Sequence, residues 1–216
     1  MKRRGLRYTG MLLFSALLSG CAGLASLTEV ATPTDLYVLS PKSTFSASLP
    51  RLRQQIVVDQ PTATAAVDTD QIAVQPTPLQ VQYLPGARWV DRAPLIVQAL
   101  LIESFENTGK VPAVGSSTIG LRADYLIVTD IREFQAIVPV GAESSALQIY
   151  VRLNIKIIDA FSDRIIGSRS FEEIVPSPSD TPEDVTTAFD EALGDTMRDA
   201  IEWSIREIAR HASAAG

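Results

Sequence analysis

The stretch YLPGARWVDRAP, Tyr83 to Pro94, gathers two arginines, an aspartate, a tryptophan, a glycine and two prolines into twelve residues. Two readings fit that cluster. In a binding role, Arg88 and Arg92 offer permanently charged, forked donors to an anionic headgroup, with Trp89 as an apolar platform. In a structural role, Gly86 permits a turn and Trp89 fills the junction between a strand and a helix. Asp91 then caps that helix, and an arginine pairs with Asp124. The structural role is favoured, because a tryptophan between a strand end and a helix start buries a large apolar area by packing. Whether Arg88 or Arg92 also touches a partner stays open.

Nothing around the cluster supplies catalysis. No G-x-S-x-G, Walker A or dinucleotide-type glycine motif occurs. The sole histidine, His211, sits in an Ala/Ser-rich tail, where a charge near a helix end is its expected role. A zinc site of the usual kind has one Cys and one His to draw on, far apart. Asp68 and Asp70 form a D-x-D without the glycine and distal glutamate of a calcium loop. The pairs Asp130 with Glu133 and Glu172 with Glu173 would meet only by accident of folding. The expectation is a protein that is not an enzyme, with no metal and no cofactor beyond covalent lipid.

The elements that must position these residues follow from periodicity. Short strands are expected at Asp35–Ser40, Gln54–Gln60 and Asp70–Gln75. Leu79–Leu84 alternates apolar and polar residues, as a half-buried strand does. A helix follows the cluster, with Leu95, Ile96, Ala99, Leu100, Ile102 and Phe105 on its apolar face and Gly109 as a left-handed cap. Ala123–Val138, Leu147–Ala160 and Arg164–Val175 read as long strands of a meander, and the Val140–Ser145 connection as a contact loop. Thr181, Pro182 and Asp184 start a long amphipathic helix from Val185 to Ile208, its acidic residues forming a solvated face. The fold class is therefore α/β: a mixed, largely antiparallel sheet of about five to seven strands with two main helices.

The N-terminus has separate chemistry. Lys2, Arg3, Arg4 and Arg7 precede the short apolar run Met11–Leu18, too short to span a bilayer as a helix. Residues 1–20 thus read as a signal peptide. Leu18-Ser19-Gly20-Cys21 resembles the lipobox of bacterial lipoproteins, in which cleavage precedes a cysteine that then carries acyl chains. Cys21 is the only cysteine, so no internal disulfide competes for it. Ala22 follows where an aspartate is absent, which the resemblance reads as export to the outer membrane. Residues 21–34 form the lipidated start and a tether, and residues 35–212 a single domain. The chain carries 19 basic and 25 acidic residues. Removing residues 1–20 takes away four basic ones, leaving 15 against 25, a net charge of −10. That excess disfavours nucleic acid and anionic membrane surfaces, leaving the lipid as the anchor.

Several of these pieces occur in one order: the lipobox at Cys21, Tyr37–Leu39, IAVQP, YLPGARWVDRAP and GLRADYLIVTDIREFQA. In that order the chain resembles the ABC-type transport auxiliary lipoprotein family, which includes paraquat-inducible protein C, from about Leu36 to Ile208. The most specific parts contain Tyr83, Gly86, Arg88, Trp89, Asp91, Arg92, Arg122 and Asp124, and a partner interface is the functional role the resemblance leaves to them. It implies an α/β fold, no catalytic residues, and work beside an ABC transporter permease and a mammalian-cell-entry (MCE) type substrate-binding protein. Such systems move lipids or other hydrophobic molecules across the periplasm. Self-association into a ring is a further expectation. The competing readings are a stand-alone periplasmic binder of a small apolar ligand and, more weakly, a carboxylate-based envelope hydrolase.

Overall fold

The structure, a computed structural model, describes residues 34–120, 122–139 and 147–215. Cys21, the signal peptide, the tether up to residue 33 and the Val140–Ser145 loop lie outside the described residues.

A nine-stranded mixed sheet forms one layer. Its axis is β7 (Tyr125–Ile137), where Tyr125, Ile127, Thr129 and Ile131 point into the core. A register shift between Ile131 and Glu133 then changes the parity, so that Phe134 and Ala136 take over. On one side β7 pairs antiparallel with β8 (Gln148–Asp159), and β8 pairs antiparallel with β9 (Arg164–Pro176). As the period-two pattern requires, Ile149, Val151, Leu153, Ile155 and Ile157 of β8 are all buried. Along the other side of β7 run three short parallel strands in succession: β2 (Ile56–Val58), β3 (Thr62–Ala63) and β4 (Gln71–Thr77). Beyond β2 lies β6 (Val114–Ser116), and beyond β4 lie β5 (Gln80–Trp89) and β1 (Asp35–Tyr37). The sheet thus exceeds the expected five to seven strands. The extra ones, β3 and β6, are two and three residues long and too short to show a period.

Helices α1 (Ala93–Asn107) and α2 (Pro182–Ala215) are the main helices expected, and both lie on the same face of the sheet. α2 follows the predicted stripe: Val185, Phe189, Met197, Ile201, Ile205 and Ile208 are fully buried. Its start is capped as expected, the Asp184 amide donating to Thr181 Oγ1 at 3.4 Å. The Asp184 carboxylate, however, accepts from the Ser179 hydroxyl. In β9, Gly167 leaves room for α2 to settle: a Cβ there would lie 3.0 Å from the Trp203 ring. The buried face of α1 contains Ile96, Val97, Leu100, Leu101 and Phe105, while Ala99 is exposed. This helix is apolar nearly all round, so spacing alone misassigned part of its face. Gly109 follows it at φ 59°, as expected of a left-handed cap.

The acidic face of α2 corrects another expectation. It is not merely solvated: Glu183 accepts from the Tyr37 hydroxyl, Asp190 from the Ser40 amide, Asp195 from Lys42 Nζ and Glu202 from the Ser46 amide. The segment after β1 runs outside the sheet, so its amides lack ladder partners and take carboxylates instead. Burial works to raise the Glu202 pKa, but the Ser46 amide and Arg206 hold it below the usual carboxylate value. Lys42 also ties to α1, its amide donating to Ser104 Oγ and its carbonyl accepting from Asn107. Residues 37–46 are thereby strapped across both helices.

Candidate functional site

The cluster at Tyr83–Pro94 is divided between a strand and a helix start. Strand β5 runs through most of it, so Gly86 does not turn the chain between two elements. It sits inside the strand at φ 73°. From Gln71 to Ala73 on β4 is a two-residue step, and the facing step on β5, Arg88 to Tyr83, is five. The three extra residues form an irregular bulge around Pro85-Gly86, where a positive φ is accommodated without a Cβ penalty.

Beyond the bulge one face of the strand is buried, through Ala87 and Trp89. Trp89 is 1% exposed and lies 5.2 Å from the Phe189 ring of α2 and 5.9 Å from Phe134 of β7, centroid to centroid. Trp89 therefore joins sheet and helix layers. Its amide donates to the Asp70 carbonyl at 2.7 Å, and the Ala93 amide to the Thr69 carbonyl at 3.1 Å.

Asp91 does not cap α1. The residue at the cap position is Arg92, which makes no side-chain cap bond, while Asp91 Oδ1 accepts from the Arg92 amide at 2.7 Å. The physical reason is that little is left to cap. Ala93 donates to Thr69, Pro94 has no N–H, and Leu95 and Ile96 both donate to the Arg92 carbonyl.

The arginines do not pair with Asp124. Arg92 Nε donates to Asp68 at 3.0 Å, and Arg88 to Asp70 at 3.2 Å. The D-x-D is thus explained as the counter-charge to Arg88 and Arg92, a relation that 18 and 24 residues of separation hide in the sequence. Both arginine side chains stay 47% exposed, so the pairs are surface interactions.

Arg122 and Asp124 stand at the other end of β7. Asp124 Oδ2 accepts from the Gln55 amide at 2.8 Å and fixes the start of β2. Arg122 is exposed and lines a cavity of about 470 Å³ with Gln54, Asp124, Tyr125, Asp159 and Phe161. His211 is also here. The helix continues to Ala215, so His211 is not in a tail, and its Nδ1 shares a 2.9 Å hydrogen bond with Tyr125 Oη. Asp159 Oδ2 lies 3.9 Å from the same nitrogen. The amides of Ser162 and Phe161, together with His211, hold the Asp159 pKa low despite partial desolvation, and burial raises that of Tyr125. The group pins α2 to the sheet. Among the described residues no set of three His, Cys, Asp or Glu side chains is placed to hold a metal. The sequence-predicted residues therefore form two sites, about ten strand residues apart along β7, not one.

The first half of β5 behaves differently from the second. Leu79–Leu84 alternates as expected of a half-buried strand, yet Leu79 is 100% exposed, Val81 47% and Tyr83 37%. Tyr83 pairs with Ala73 across the hairpin, and its hydroxyl reaches the Ala66 carbonyl at 3.4 Å. The two-residue turn Pro78-Leu79 joins β4 to β5.

With this geometry in place, relatives define the class. The family model described as ABC-type transport auxiliary lipoprotein component matches residues 37–200, and the chain belongs to that family. The family is one of transport auxiliary lipoproteins, not of enzymes, and a lipoprotein is membrane-anchored. The crystal structure of protein XCC0632 from Xanthomonas campestris is 26% identical, with a TM-score of 0.76 over 83% of this chain and 99% of that one. A second crystal structure, of an uncharacterised protein, shares the fold at TM-score 0.51 and 13% identity, covering 83% and 98%. Uncharacterised protein bll6063 of Bradyrhizobium diazoefficiens is 28% identical over 190 residues. That match covers 85% of this chain, which spans about half (49%) of that relative's length.

Proposed function

We propose that the chain is a non-catalytic, lipid-anchored accessory subunit of an ABC/MCE-type system that moves lipids or other hydrophobic molecules across the periplasm. The observation that carries this reading is the family match across residues 37–200, in line with the lipobox that precedes it. In this reading Cys21 bears the acyl chains, the anchor is in the outer membrane, and the domain faces the periplasm. Its partners are an MCE-type substrate-binding protein and the transporter permease, and ATP hydrolysis belongs to another chain. The work of the subunit is binding and positioning. Arg88 and Arg92, half-exposed above a rigid junction, and Arg122 at the opposite cavity are the charged groups available to partners. The 13-residue β9 has no strand on its outer side among the described residues, which offers an edge to a second copy or a partner strand.

Epistasis tests the proposal. Deleting the chain should cause the same envelope-permeability defect as deleting the permease, and deleting both should add nothing. Additive defects would remove the chain from that system.

A further inference from the structure

We propose that the β4–β5 hairpin is a second membrane contact, resting its tip on the bilayer that holds the acylated Cys21. This rests on the lipid-anchor reading above.

Three observations converge on the hairpin. From Gln71 to Ala87 the sequence runs for seventeen residues without a single Asp, Glu, Lys, Arg or His, in a chain that is 20% charged. Nothing in the hairpin therefore has to lose an ionic hydration shell when it meets lipid. Second, Val81 and Tyr83 alternate with Gln80 and Gln82 and so share one face of β5, Leu79 stands in the turn just before them, and among the described residues all three are left exposed. Leucine and valine beside a tyrosine suit the membrane interface, where the ring has an apolar body and a polar end.

The third observation is direction. β1 is parallel to β5, with Asp35 opposite Ala87. The chain thus enters β1 from the side toward which the hairpin tip points. Six residues lie between Gln80 and Ala87; less the three extra residues of the bulge, the tip at Leu79 lies roughly 15 Å beyond the start of β1. Residues 22–34, between Cys21 and β1, reach at most ~45 Å when extended. That length lets Cys21 and Leu79 occupy one bilayer surface together.

The hairpin also limits its own depth. β1 pairs only with Ala87–Trp89, so the outer edge of Gln80–Gly86 has unpaired backbone groups among the described residues. Such groups need water or headgroups and do not enter hydrocarbon. The contact is therefore shallow, at the level of the headgroups. A bilayer is favoured over a protein occupant because the patch is neutral, narrow and aligned with the entering chain.

The test places a fluorescent reporter at the tip. Full-length Leu79→Cys protein, processed in cells and purified from membranes, is labelled with a thiol-reactive NBD dye. It is then reconstituted into phosphatidylethanolamine/phosphatidylglycerol vesicles. Phe161→Cys serves as the control, since Phe161 is 95% exposed on the β8–β9 turn, at the far end of the sheet. The expected result is a blue shift at position 79, quenched more by a nitroxide near the headgroups than by one deep in the acyl chains, with position 161 remaining aqueous. The unsubstituted protein should take no label, because its only cysteine is the one that the anchor reading acylates. An aqueous signal at position 79 with an unlabelled parent overturns the hairpin contact and leaves the anchor standing. A labelled parent overturns the anchor and this proposal with it. Shielding of position 79 without lipid quenching assigns the hairpin to a protein partner or second copy, and also overturns it.

Discussion

The two halves of β5 come from one continuous strand and live in opposite surroundings. From Ala87 to Trp89 it is locked: Trp89 meets two aromatic rings, and β1 covers its edge. From Gln80 to Gly86 it projects, and among the described residues its apolar face is open and its outer edge unpaired. The bulge at Pro85-Gly86 separates them. The difference teaches that an apolar residue is no guide to burial until its neighbours are known. Trp89 has α2 above it, while Leu79 is fully exposed among the described residues.

The largest expected effect breaks the locked half. Trp89→Ala should cost about 3–5 kcal/mol by loss of packing and creation of a cavity, lowering the Tm by roughly 10 °C in thermal denaturation. Gly86→Ala tests the divider. The new Cβ would meet no atom within 4 Å, so its effect is backbone strain alone at φ 73°. A loss of roughly 1–2 kcal/mol is expected by the same denaturation. Arg92→Ala should cost less than ~1 kcal/mol, and added salt should shrink the difference from the parent protein. The smallest effect sharpens the contrast: Leu79→Ser with Val81→Ser should change stability by no more than about 0.5 kcal/mol. A large loss in this double variant would show that the projecting half is part of the core after all.

Much of this was readable in the sequence where a period was long enough. The alternation in β7 and β8 and the three-to-four spacing in α2 each bury one face, and the pattern reports it, whereas in β9 only Phe171 is buried. β3 and β6 escaped because their parallel pairs are short and depend on β7 and β2, far away in the chain. The alternation at Leu79–Leu84 correctly gave a strand but wrongly gave its burial, since periodicity states that a face is apolar and not what covers it. The candidate site was legible in part. Trp89 packs as its position suggested, but the counter-charges of Arg88 and Arg92 lie in the Asp68–Asp70 turn. Two carboxylates of α2, Asp190 and Glu202, bind backbone amides, and amides carry no sequence signature. In the sequence His211 stands as an isolated helix-end charge, because its partner Tyr125 is 86 residues away.

The central claim, that this domain works as the anchored accessory part of a transport complex, is tested most directly by cross-linking intact cells and purifying the chain from their envelopes. Mass spectrometry should recover an MCE-type protein or the transporter permease, together with an N-terminal peptide beginning at an acylated Cys21. Recovery of the chain alone, with Cys21 unmodified, would contradict the account.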